Sequence, residues 1–409
     1  MCALSRRERV RLALRHQTTD RVPVDIGGSR ITGIGALAYR NLLRHLGWEE
    51  PVRVYDIKQQ LAEPSLAVID RLGGDVVQLS RLGPTTGMPF LAVDAWKTGR
   101  LTDGSPALVP EALQEARQPD GAIEIVWNGQ RYAWRSPESL FFDVCWSPLA
   151  QARSRADLDA FVWPDPWTER EERFLRERVE ALYRGTDKAL FAGLPMLNCS
   201  FFEINLLLFG FENFMMLLVD EPALVEYWLD RQLAHACDIL DRFLAITGPC
   251  IEAIQMNDDF GAQTALQISP AIYRRIFKPR QKRWIEFVKR RTAAKVFIHC
   301  DGAIEEILPD FIDVGIDVLN PVQTSAAGMD PAKLKRNYGR DLVFWGGGVE
   351  TQTTLPFGTL ADIRREVNEH LRILGPDGGF VFATIHNIQP DIPPEKILAV
   401  FDTVAAFNG

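Results

Sequence analysis

The chain contains no Cys-x-x-Cys pair: its six cysteines stand apart at positions 2, 145, 199, 237, 250 and 300. Such scatter argues against a disulfide framework and against a zinc knuckle. No run approaches twenty apolar residues, so no membrane span is expected. The opening MCALSRRERVRLALRHQ has arginines but lacks the long apolar core of a secretory signal, which makes the cytoplasm the simplest address. Nor is positive charge in excess. Lys and Arg number 46 against 54 Asp and Glu, a net charge of -8 with the signs well mixed. A nucleic-acid partner would call for a basic patch, so none is expected. No Gly-x-Gly-x-x-Gly follows an apolar strand, and the triple glycine Gly346, Gly347, Gly348 is not followed by Lys-Ser or Lys-Thr. Neither a dinucleotide fold nor a P-loop therefore has its mark. Histidine is scarce too, at six in 409 residues.

That scarcity gives weight to two histidines. His299 lies in VFIHCDGAIEEILPD and His386 in IHNIQPDIPP, each just after a short apolar run and beside Gly, Asp, Asn or Pro. Strand ends of this kind are where barrels and doubly wound sheets display chemistry. His299 and Asp301, two residues apart, project to the same side of an extended segment. Around them the pattern is strand–helix alternation. Ser5 with Glu8 predicts a capped first helix over 5–16. Val22 to Ile26 predicts a short strand, and helices follow at 35–46, ending at Gly47, and at 64–72. From residue 185 the runs ALFAGLP, IEAIQMN, AKVFIHC, IDVLNP, LVFWGG and FVFATIHN alternate with helical segments, including a long one near 203–218. Residues 84–150 differ. Short alternating runs, FLAVDAW at 90–96 among them, and the turn pair Asn128-Gly129 read as antiparallel hairpins inserted into a larger α/β unit. The expected architecture is one domain over 1–409, a (β/α)8 barrel with an N-terminal helical extension and the 84–150 insertion; a doubly wound sheet is the competitor.

Several segments in one order resemble the uroporphyrinogen decarboxylase superfamily. They are SRRERVRLALRHQTTDRVPVDIGG from Ser5, NDDFGAQTALQISPAIYRRIFKPRQKRWIEFV from Asn257, FIHCDGAIEEILPDFIDVGIDVLNPVQ from Phe297, FWGGGVETQTTLPFGT from Phe344 and IQPDIPPEKILAVFDTV from Ile388. The likeness spans nearly the whole chain except about 95–170, and implies a (β/α)8 barrel with its site at the C-terminal rim. True decarboxylases of the superfamily carry an arginine-rich segment after the first strand. Here PVDIGGSRITGIG has Arg30 alone, which is more similar to the corrinoid-linked methyltransferase branch. That branch binds zinc through a His-x-Cys motif after a barrel strand and a Cys near the C-terminus. By this resemblance His299 takes the place of the motif's histidine, Asp301 that of its cysteine, Cys300 the position between, and His386 that of the later cysteine. Members that take a methyl group from an ether have a similar His-Ser-Asp-Gly. The resemblance implies zinc, a small methoxylated and in one version aromatic substrate, and cobalamin carried by a separate corrinoid protein, since this chain has no Asp-x-His-x-x-Gly signature.

A His–Asp–His set is harder than His–Cys–Cys. It leaves zinc more Lewis acidic, which suits polarising an ether oxygen better than activating a thiolate. Cys300 stays open as the alternative to Asp301. Asp258 and Asp259, at a strand end, are candidate catalytic groups that would orient substrate, fix a ligand histidine or cap a helix. Glu203, in an apolar window, is a candidate fourth ligand or proton donor, or the partner of a buried arginine. Substrate contacts are expected from Arg30 as a carboxylate clamp and from Tyr55, Asn198, Gln263, Asn320, Gln323, Glu350 and Gln352, with Asn387 and Gln389 holding His386. The insertion's tryptophans are expected mainly to pack its hairpins. The rival activity is a metal-independent decarboxylase or lyase built on Arg30 and the Asp258–Asp259 pair. A homodimer is permitted by the acidic charge and broad barrel face.

Overall fold

Short apolar runs that are buried on both faces become the parallel strands of one sheet. In the computed structural model, which describes residues 4–84, 91–164, 166–193 and 200–408, seven of them lie side by side in chain order. They are β1 (Val76–Leu79), β2 (Ala189–Ala192), β3 (Ile251–Asn257), β4 (Lys295–His299), β5 (Val318–Asn320), β6 (Val343–Trp345) and β7 (Phe380–Val381). Every neighbouring pair is parallel. The eighth place is filled by residues 23–25. Val24 bridges Phe382 in parallel, the Asp25 N–H donates to the Phe382 carbonyl at 2.8 Å, and the Asp75 N–H donates to the Val24 carbonyl at 2.7 Å. These bonds join β7 to β1 and close the ring, so the architecture is the (β/α)8 barrel and not an open doubly wound sheet.

Strand alternation decides what fills the barrel. Phe191, Phe297 and Trp345 point inward and meet edge to face at centroid distances of 4.9, 5.3 and 5.5 Å. Below this aromatic floor, helix α1 (Arg6–Ala13) covers the N-terminal end, with Val10 and Ala13 joining the same interior cluster. The Ser5–Glu8 capping box forms as predicted. Above the floor, two residues further along their strands, His299 follows Phe297 and Asn320 follows Val318 on the inner face.

Two elements differ from the pattern reading. The helix expected near 203–218 is two helices, Glu203–Leu208 and Phe211–Asp220. Gly210 separates them at φ 80°, a conformation that breaks a helix. The strand expected at 90–96 begins only at Trp96, because the Val93 N–H is spent on the Leu82 carbonyl. Trp96–Arg100 pairs antiparallel with Pro106–Pro110. A second antiparallel sheet holds Glu115–Arg117, Ile123–Trp127, Gln130–Arg135 and Asp143–Val144. Its central hairpin turns at Asn128 and Gly129, both with positive φ, as the twist of a two-residue loop demands. Trp127, Trp146, Phe161 and Trp163 form a chain of ring contacts ending on Trp228, in the long helix Pro222–Thr247. Among the described residues no helix is long and apolar enough to cross a membrane.

Candidate metal centre

The C-terminal ends of β4 and β7 bring the two notable histidines together. Their ring centroids lie 5.8 Å apart. One ligand atom from each of His299, Asp301 and His386 lies within 4.8 Å of the others. Asp301 Oδ2 is 3.5 Å and Asp259 Oδ1 3.9 Å from His299 Nε2. The donors gathered here are all nitrogen or oxygen, a set suited to a divalent cation.

The orientation of His299 is fixed from behind. Its Nδ1 lies 2.7 Å from Asn320 Oδ1, and Asn320 Nδ2 donates to the Trp345 carbonyl at 2.7 Å. With the amide's nitrogen committed, its oxygen must accept, so Nδ1 carries a proton and Nε2 is the ring nitrogen turned toward the cluster. Burial opposes charge on His299, yet Asp301, Asp259 and the Asn320 bond outweigh it and raise its pKa. Burial also raises Asp259, against the pull of His299. Asp301 is lowered: burial opposes this, and the charge of His299 with its hydrogen bond prevails. His386 is lowered by burial, which favours the neutral ligand form.

Asp301 sits on a braced loop. Its N–H donates to Asp259 Oδ1 at 2.9 Å, and the Gly302 N–H donates to Gln323 Oε1 at 2.6 Å. Cys300 faces the other way. It is fully buried in the hydrophobic core and accepts from the Phe260 N–H at 3.4 Å, and burial holds its thiol well above the ordinary range. The alternative of Cys300 as ligand therefore fails on direction.

A cavity of about 780 Å³ opens over the cluster. Asp301, His386, Gln263, Gln323 and Gln352 line it, and Gln263 Nε2 donates to Gln352 Oε1 at 3.1 Å across its wall. Other expected site residues are placed differently. Asp258 is fully buried and accepts from Ser200 Oγ and from the N–H groups of Phe201, Phe202 and Glu203 at 2.6–3.2 Å. It ties down the start of the helix at Glu203, and burial pushes it up to about 7 despite those bonds. The catalytic expectation for Asp258 is corrected on that ground. Asn320, expected on substrate, is the support of His299 and is fully buried. Arg30, the expected clamp, pairs with Asp56 at 3.1 Å. Tyr55 lines a separate cavity of about 370 Å³, with Arg53, Glu63 and Arg178. Glu350 is buried and accepts from the Gln352 N–H at 3.0 Å. Glu203 accepts from Asn257 Nδ2 at 2.7 Å. Asn198 lies outside the described residues.

Asn387 and Gln389, expected to hold His386, line the cavity beside it. Gln389 Nε2 donates to Asn387 Oδ1 at 2.6 Å, and Asn387 Nδ2 to Gln59 Oε1 at 3.0 Å. The pattern reading missed several lining residues, among them Lys58, Phe141 and Phe142. No periodic signal marks them. They come from a rim loop and from the insertion, which reaches the mouth through the Phe142 N–H bond to the Lys58 carbonyl at 2.9 Å.

The closed barrel and its rim cluster define a (β/α)8-barrel protein with a candidate three-residue metal site. The chain belongs to the uroporphyrinogen decarboxylase (URO-D) family, whose pattern matches residues 152–407, more than half of the sequence. The solved structure of a methyltransferase from Methanosarcina mazei is similar over 99% of this chain and 100% of that one, with a TM-score of 0.60 and 18% identity, a likeness of fold. No curated protein matches the chain in sequence.

Proposed function

We propose that this chain is a metal-dependent methyltransferase that removes the methyl group of a small methoxylated compound and passes it to a corrinoid protein. The observation that carries the reading is the His299–Asp301–His386 cluster at the base of a cavity of about 780 Å³. The methyltransferase of similar fold supports the reaction class. The all-nitrogen-and-oxygen donor set supports an oxygen leaving group over a thiolate acceptor.

Zinc in this set would supply Lewis acidity at the ether oxygen. The chain's own residues do the rest. Asn320 holds the His299 ring in one tautomer. Asp259 and Gln323 hold the backbone of Asp301 and Gly302, so that the carboxylate faces the histidines. Phe141, Phe142 and Ile385 line the cavity with apolar surface and exclude water beside the reacting oxygen. The acceptor protein would meet the chain at the cavity mouth. The decarboxylase alternative has less support, because Arg30 is committed to Asp56 and Asp258 to the 200–203 backbone.

Metal analysis with variants tests this. The purified protein should hold close to one zinc per chain. His299→Ala and His386→Ala should each lose zinc together with at least about a hundredfold of methyl transfer, followed through the spectrum of reduced cobalamin offered as acceptor. Full activity in folded protein stripped of metal would overturn the reading.

A further inference from the structure

The expected anion clamp, Arg30, is already paired with Asp56, yet the cavity does hold a cation. Lys58 is the one lysine or arginine among the described residues that line it. Its ammonium makes no ion pair and no hydrogen bond within the described residues, although it is partly buried. A cation removed from water without a partner is unstable, and burial, with the charge of nearby Arg30, lowers its pKa against the fields of Glu203, Asp56 and Asp259. Amides and apolar groups share the cavity wall with it: Gln59, Asn387 and Gln389, and Phe141 and Phe142. Of the two carboxylates that line the same space, Asp301 is engaged by His299, and Asp143 is exposed on the insertion. The backbone bond between Phe142 and Lys58 keeps the lysine and the insertion's aromatic segment adjacent.

The geometry points to Lys58 as the specificity-determining residue of the cavity, pairing with a carboxylate on the substrate while the substrate's ring packs on Phe141 and Phe142 and its far end meets the cluster. The substrate class that follows is a methoxylated aromatic acid. The methyl ether in this inference rests on the function proposed above; the carboxylate does not.

Equilibrium binding separates the two. Zinc-loaded protein is titrated calorimetrically with 4-methoxybenzoate and with its neutral isostere 4-methoxybenzamide, with no corrinoid present. The parent protein should bind the acid at least about tenfold more tightly than the amide, the discrimination typical of a charged hydrogen bond. Lys58→Met should bring the two within about twofold, leaving the amide's affinity and the zinc content unchanged, which also shows that the variant is folded. Lys58→Arg should restore part of the preference. A preference for the acid that survives Lys58→Met, equal affinities in the parent, or binding of neither compound would each overturn the assignment, and would leave Lys58 as a counter-charge to Glu203 and Asp259. If the acid is preferred through Lys58 but methyl transfer is never observed, the role of Lys58 stands and the reaction is wrong.

Discussion

Asp258 and Asp259 are adjacent, and a residue-level reading treats them alike. Strand alternation separates them: Asp259 shares the inner side with His299, while Asp258 turns outward and takes the backbone donors of 200–203. The two histidines were legible because they end apolar runs, where a barrel exposes its chemistry. Lys58 was not, since an unpaired ammonium is a property of its neighbours and not of its sequence context. Asp25 shows the same limit. It is a strand-end aspartate that accepts from Trp345 Nε1 at 2.8 Å and from the Gly28 N–H at 2.7 Å. Burial is the dominant influence and pushes it up to about 6, against these bonds and that of Thr32. An unfolded aspartate titrates near pH ~3.9. Between the two values the folded chain holds the extra proton, so this group's contribution to stability falls as pH rises from about 4 to about 6 and is level above. An amide in place of this carboxyl would have no proton to lose. The stability of Asp25→Asn relative to the parent should therefore move in the variant's favour by about 2 kcal/mol between about pH 4 and about pH 8. Urea unfolding midpoints at both pH values measure it, and a relative stability independent of pH would refute it.

At the scale of elements, the barrel strands were readable because parallel strands covered on both faces leave short apolar runs. Loop contacts left no such trace. The triple glycine after β6 packs closely against the protein itself. A Cβ on Gly346 would fall 2.9 Å from Asn320 Nδ2, and one on Gly348 would fall 2.3 Å from Phe382. The contact that matters most to the site joins the loops after β3 and β4. Gly302 has φ +92°, and a Cβ there would lie 2.5 Å from the Gly261 carbonyl carbon. Gly302→Ala thus meets both backbone strain and a backbone clash, with the loop that carries Asp301 as the part able to move. Its expected effect is a loss of about 2 kcal/mol or more in stability and a zinc affinity lowered about tenfold or more. Competition with a chelating dye reports the second effect, and an unchanged zinc affinity would show that the loop tolerates the shift without moving Asp301.

For the whole molecule, the question is whether the insertion at 84–150 behaves as part of the barrel. Two links say that it does: the aromatic chain from Trp127 to Trp228, and the Phe142–Lys58 backbone bond at the mouth. Both tie the insertion's sheet to elements outside it, and neither was visible in its hairpin signals, which describe only local pairing. Calorimetry should show one cooperative unfolding transition, and Trp163→Ala should lower it as a unit, by about 2–4 kcal/mol. A separate early transition would mean that the insertion unfolds alone. The floor of Phe191, Phe297 and Trp345 shuts the barrel end of the chamber above it, because nothing can pass between rings packed edge to face, and leaves the cavity mouth as the way in. On the function proposed above, a methyl donor and the protein accepting the methyl group would have to use that mouth in turn. The donor would enter first, the acceptor would cork the chamber for the transfer, and the demethylated product would wait for it to leave. Timing would then be set by who stands in the door, and an acceptor arriving before the donor would act as an inhibitor.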